Sequence, residues 1–133
     1  MEKLIIDPTL NSPRVVLDPV DNQFEFSGES RPENVRNFYM PILEWLEQFA
    51  TELSGKDPAG STAREFKFDF EYFNSTSAKY ILDIFKILHT IQAAGNDIQV
   101  KWHFEEDDED MYEVGMEMSR MSGLTFDYVK EEV

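Results

Sequence analysis

The stretch Glu65–Phe73 constrains this chain more than any other. Phe66, Phe68, Phe70 and Tyr72 alternate there with Glu65, Lys67, Asp69 and Glu71. Successive side chains of a strand point to opposite faces, so this period of two predicts a β-strand with one apolar and one polar face. Ile98–Phe104 repeats the pattern, with Ile98, Val100, Trp102 and Phe104 set against Gln99, Lys101 and His103. Between the two lies a helical stripe of Ile81, Ile84, Phe85, Leu88 and Ile91, opened by Asn74-Ser75-Thr76-Ser77 and closed by Ala93-Ala94-Gly95-Asn96. A strand–helix–strand unit of this size argues for a parallel crossover. A doubly wound sheet would cover both faces and make its strands apolar throughout. The polar faces of these two strands therefore predict an α/β domain of two layers, a mixed sheet with helices mainly on one face and the other face open.

The flanking segments extend this order. Arg14–Leu17 and Gln23–Ser27 read as strands joined by the turn residues Asp18-Pro19-Val20-Asp21-Asn22, a hairpin that ends at Gly28. Ser30-Arg31-Pro32-Glu33 reads as a helix start, with Ser30 as the capping hydroxyl and Pro32 in the first turn. Val35, Phe38, Tyr39, Ile42, Trp45, Leu46, Phe49 and Leu53 follow at helical spacing, and Pro41 is expected to kink or split that helix. Gly55–Ser61 is a loop. An acidic run, Glu105–Asp110, leads into a third helix over Met111–Met121; Gly123 breaks it, and Thr125–Val129 reads as the last strand. The predicted order is β-β-α-β-α-β-α-β in one domain spanning residues 1–133.

Composition excludes several function classes. The chain has 133 residues, of which 41% are hydrophobic, enough for the core of one domain. Its net charge of −15 repels nucleic-acid phosphates and anionic membranes, so neither is expected as a partner, whereas a protein with a basic face would be attracted. The absence of cysteine removes disulfides, thiolate metal sites and cysteine nucleophiles. Met1–Pro8 is too short and polar for a secretory signal, and no apolar run is long enough to span a bilayer, so a cytoplasmic location is expected.

The candidate chemistry is sparse. Ser75-Thr76-Ser77 lies where a strand gives way to a helix. One reading is an N-cap, a hydroxyl accepting from free amides of the first turn. The other is a phosphorylation site, since a helix N-terminus carries unpaired N–H groups and partial positive charge that suit a phosphate. The two readings are compatible. The acidic run lacks the glycine and the terminal glutamate spacing of an EF-hand and fits a helix start better. His89 and His103 have no Asp, Glu or His at ligand spacing in the sequence, so no metal site is expected. No glycine-rich phosphate loop, nucleophile elbow or convincing carboxylate pair is present, which argues against an enzyme and against a cofactor.

Several of these blocks resemble the SiaC family of bacterial regulatory phosphoproteins. Phe73-Asn74-Ser75-Thr76-Ser77-Ala78-Lys79 with Asp83-Ile84 looks like the family signature. Gly28–Asn34, Pro41–Leu46, Val100–Phe104 and Asp107–Met111 also look like it, in family order and across most of the chain. The resemblance implies an STAS-like fold similar to anti-sigma-factor antagonists. It implies a hydroxyl directly after the Asn that a dedicated Ser/Thr protein kinase phosphorylates and a PP2C-type phosphatase restores. It also implies an effector, such as a diguanylate cyclase of cyclic di-GMP signalling, that the unphosphorylated form activates. Carried onto this chain, the acceptor is Ser75. The family signature often has Thr there followed by Ser-Ser, so Thr76 is a competing acceptor. Apart from the resemblance, Asn74, Ser77 and Lys79 are expected to support the site, Asn74 positioning the acceptor through its amide and Lys79, one turn into the helix, helping to hold the phosphate. The rival expectation is an acidic adaptor without a covalent switch, acting through the acidic run or the open sheet face.

Overall fold

A computed structural model describes residues 1–57 and 62–133; the part of the expected loop at residues 58–61 lies outside them. Six strands and three helices follow one another as β1 (Leu4–Ile6), β2 (Arg14–Asp18), β3 (Gln23–Ser30), α1 (Val35–Ser54), β4 (Arg64–Phe73), α2 (Ser75–Ala93), β5 (Ile98–Glu105), α3 (Glu109–Ser122) and β6 (Phe126–Glu131). The strands lie side by side in their sequence order, β1 to β6. The first two pairings are antiparallel and the last three parallel, with α1, α2 and α3 as the crossovers. Each crossover steps in the same direction along the sheet, so a uniform right-handed sense puts all three helices on one face. The mixed sheet with a single helical layer agrees with the alternation of β4 and β5.

The core lies between that layer and the sheet. Val15, Leu17, Phe24, Phe26, Phe66, Phe68, Val100, Trp102 and Phe126 are buried from the strands. Ile42, Leu46, Phe49, Ile81, Ile84, Phe85 and Leu88 are buried from α1 and α2. Trp102 sits at the centre of the aromatic cluster, stacked on Phe126 with ring centroids 5.8 Å apart. Its indole Nε1–H donates to the Met111 carbonyl of α3 at 3.0 Å, so a large buried ring leaves no polar atom unmet. Helix α3 approaches this ring closely at Gly115, where a Cβ would lie 2.5 Å from Trp102 Nε1.

Four local expectations are corrected. The edge strand β1 was not anticipated, because three residues are too few to display a period; it pairs Leu4 to Ile6 with Val15 to Leu17 of β2. Helix α1 begins later than expected, with Asn34 as its N-cap accepting from Asn37 N, and Ser30 instead ends β3. Pro41 lies inside an unbroken α1. Pro41 and Asn37, whose carbonyl loses its helical donor, are both exposed, so water can satisfy that carbonyl. Finally, Tyr72 is half exposed, and Phe73 packs against Phe70 and Trp102 instead. The cause is a bulge: Gly28 pairs with Phe70 and Glu29 with Tyr72, leaving Glu71 as the extra residue. One inserted residue inverts the inward and outward alternation beyond it.

Candidate functional site

The strand that carries the strongest pattern delivers the candidate switch segment. β4 ends at Phe73 and α2 begins at Ser75. Asn74 is the N-cap: its backbone is extended and its side-chain carbonyl accepts from Ser77 N at 2.8 Å. The capping role read for the hydroxyls therefore belongs to Asn74. Ser75 and Thr76 are the first two helical residues and are exposed. By helix geometry their amides have no partner within α2. The first turn holds no acidic residue, so nothing in it offsets the positive end of the helix dipole. Lys79 is exposed one turn further on, its Nζ 5.9 Å from the centroid of the Tyr80 ring.

Ser77 is different from its neighbours. It is fully buried, and its hydroxyl donates to the Ser30 carbonyl at 2.9 Å. The Ser30 hydroxyl donates to Ser77 Oγ at 3.0 Å and lies 2.5 Å from the Tyr39 hydroxyl. Each hydroxyl has one proton, so this pattern makes Tyr39 the donor to Ser30. Burial pushes the Tyr39 phenol up to about 12, against the partial relief of its serine partners. Asn74 N also donates to the Ser30 carbonyl, at 3.1 Å. The end of β3, the body of α1 and the start of α2 thus meet in one closed set of hydrogen bonds under Ser75. Ser30 and Tyr39 belong to this arrangement and were not visible from the sequence, where Ser30 looked like a cap and Tyr39 like any core aromatic.

The open face of the sheet holds a second cluster. Asp69 of β4, His103 of β5 and Glu131 of β6 each offer a ligand atom, all within 4.8 Å of one another. His103 Nδ1 is 3.6 Å from a Glu131 carboxylate oxygen. Partial burial lowers the His103 pKa, against the pull of Asp69. Glu131 is raised, first by its hydrogen bond with Asp69. No Asp/Glu/His cluster stands at ligand spacing around His103 in the sequence, yet the fold brings two carboxylates beside it. The three residues are far apart in sequence, and only the pairing of three neighbouring strands joins them. His89 is exposed on α2, as expected. The acidic run supplies the start of α3: Asp108 caps it, accepting from Met111 N at 3.0 Å, and Glu109 and Asp110 fill its first turn. No helix among the described residues is long and apolar enough to cross a membrane.

Comparison with known proteins identifies relatives of this chain. The model of the SiaC family, described as regulatory phosphoproteins, matches residues 6–131. An uncharacterised protein of Pseudomonas aeruginosa strain UCBPP-PA14 is 25% identical over 126 residues, covering 95% of this chain and 94% of its own length. The crystal structure of apo-SiaC from Pseudomonas aeruginosa superposes with a TM-score of 0.78 at 23% identity, over 98% of this chain and 99% of that one. The structure of the diguanylate cyclase SiaD in complex with its activator SiaC, from the same organism, gives a TM-score of 0.83 at 23% identity, over 96% of this chain and 99% of the matched chain.

Proposed function

We propose, from the premise that this chain belongs to the SiaC family of regulatory phosphoproteins, that it is a non-enzymatic partner switch whose phosphoacceptor is Ser75. The observation that carries this reading is the contrast within one turn of α2. Ser75 is exposed at the first helical position beside free amides, while Ser77 is buried and bonded to Ser30. A kinase can reach the first hydroxyl but not the last. Thr76 is exposed as well and is the competing acceptor.

Phosphorylation at Ser75 adds about −1.5 to −2 charges at neutral pH. The helix N-terminus receives them through its free amides, and Lys79 lies one turn away to pair with them. The fold therefore tolerates the modification, and its effect falls on the surface. In the unmodified state, the start of α2 docks on an effector. In the modified state, docking would bury a dianion, and its desolvation opposes binding. Pseudomonas aeruginosa SiaC is the activator of the diguanylate cyclase SiaD, and we take an enzyme of that class as the effector here. A dedicated Ser/Thr kinase and a PP2C-type phosphatase set the state of the switch, with all partners in the cytoplasm.

The test has two parts. Phosphopeptide mass spectrometry on protein from its native cells should place one phosphate on Ser75; a phosphate on Thr76 would move the acceptor by one residue and keep the mechanism. Binding of Ser75→Ala and Ser75→Glu to the effector should then diverge, with the first retained and the second lost. Equal binding by both variants and the wild type would rule out the switch and leave an adaptor that uses another surface.

A further inference from the structure

We infer that Asp69, His103 and Glu131 form a divalent transition-metal site on the open face of the sheet, with zinc as the ion it fits best. Three observations carry the assignment. The first is convergence: one imidazole nitrogen and two carboxylate oxygens, from three adjacent strands, lie within 4.8 Å of one another. Small side-chain rotations bring such a set to the distances of zinc coordination, about 2.0–2.2 Å from metal to each nitrogen or oxygen. The second is rigidity. The β4–β5 pairing runs to Phe68↔Trp102, one residue before Asp69 and His103, and β5–β6 pairs His103 with Val129 and Glu105 with Glu131, so three neighbouring parallel strands hold the ligand backbones close together before any ion arrives. The third is charge. Asp69 and Glu131 are neighbouring carboxylates; Lys67, its side chain 40% exposed, has its Nζ 4.0 Å from Asp69, while Arg14, which lines the same cavity as these acids, is paired with Glu25. A long, half-solvated ion pair leaves much of the repulsion between the two carboxylates uncompensated.

The donor set selects the ion. Calcium takes six to eight oxygens and magnesium keeps an octahedral shell of oxygens, and neither favours an imidazole. One nitrogen and two carboxylates match zinc or a similar first-row ion, with the fourth position left to water or to a group from a partner. The surroundings leave room for it: a cavity on the same face is lined by the acids Asp69, Glu131, Glu105 and Asp108 together with Arg14. This inference does not depend on phosphorylation of Ser75.

The experiment is a titration of the full chain with zinc chloride by isothermal calorimetry, together with NMR of the two histidine rings. The expected result is one ion per chain, a shift of the His103 ring resonances and no shift of His89. His103→Gln should weaken binding by at least about tenfold, since losing a ligand costs no less than losing one of its supporting partners, while His89→Gln should leave it unchanged. Magnesium and calcium should not compete at equal concentration. Unchanged His103 resonances in the wild-type protein, or equal affinity in a folded His103→Gln variant, would overturn the site and attribute any zinc uptake to scattered surface acids.

Discussion

At the scale of single residues, three serine and threonine hydroxyls within one turn divide into two exposed and one buried, and nothing in the residue types marks the division. Ser75 and Thr76 face solvent, whereas Ser77 is committed to Ser30. If the proposed kinase acts here, Ser75→Ala/Thr76→Ala isolated from the native cells should carry no phosphate in this turn, although Ser77 remains; phosphopeptide mass spectrometry checks this. Asn74→Ala removes the cap on Ser77 N and should lower stability by about 1 kcal/mol, read as a shift in the urea midpoint. The segment itself was legible, because an Asn and three hydroxyls between an alternating strand and a helical stripe can do little else. Which of the four residues caps was not, since Asn and Ser are nearly equal in that role and only the register of the helix decides.

At the scale of elements, α3 comes close to β5 at Gly115. Gly115 is buried, and the atoms that a Cβ would meet there belong to a rigid indole, not to the tip of a flexible side chain. Gly115→Ala is expected to force α3 off Trp102 and cost about 1–3 kcal/mol, the usual range for overpacking. Loss of the Trp102 hydrogen bond to Met111 would accompany it, so thermal unfolding and tryptophan fluorescence should change together. Helix α3 ends at Gly123, whose φ of +81° is left-handed. Gly123→Ala should cost about 1 kcal/mol for that reason, measurable in the same unfolding experiment. Elements with a long period were read well from the sequence; β1 was not, because its identity depends on a partner strand. The reversal at Tyr72 and Phe73 was hidden for a similar reason, as the bulge arises from pairing with β3 and leaves no local mark.

At the scale of the whole molecule, buried tyrosine couples folding to pH. The phenol of Tyr39 ionises near 10 in the unfolded chain and at about 12 in the native one. Its contribution is therefore complete below pH 10 and is lost as pH rises toward 12, because deprotonation favours the unfolded state in that window. Two units correspond to about 3 kcal/mol. Urea unfolding at pH 9 and pH 11 should show the decline, and Tyr39→Phe, which cannot ionise, should show a smaller one. An equal decline in both proteins would assign it to other groups. The one-sided helical layer was legible from the polar faces of two strands. The cluster of Asp69, His103 and Glu131 was not, since it exists only once three strands are laid edge to edge.

The sequential strand order has a consequence for how the molecule comes into being. Every strand pairs with its predecessor in the chain, and each helix packs against the next. Each new strand therefore closes a loop of one turn or crossover, although the Ser30 and Ser77 hydrogen bonds still join residues well apart in the chain. A chain emerging from the ribosome can lay down the β1–β3 meander and then add one strand and one helix at a time to the same growing edge. The last strand added is β6, which brings Glu131 to Asp69 and His103. The protein can thus carry a formed α2 N-terminus, with Ser75 in place, before the opposite face of its sheet is complete.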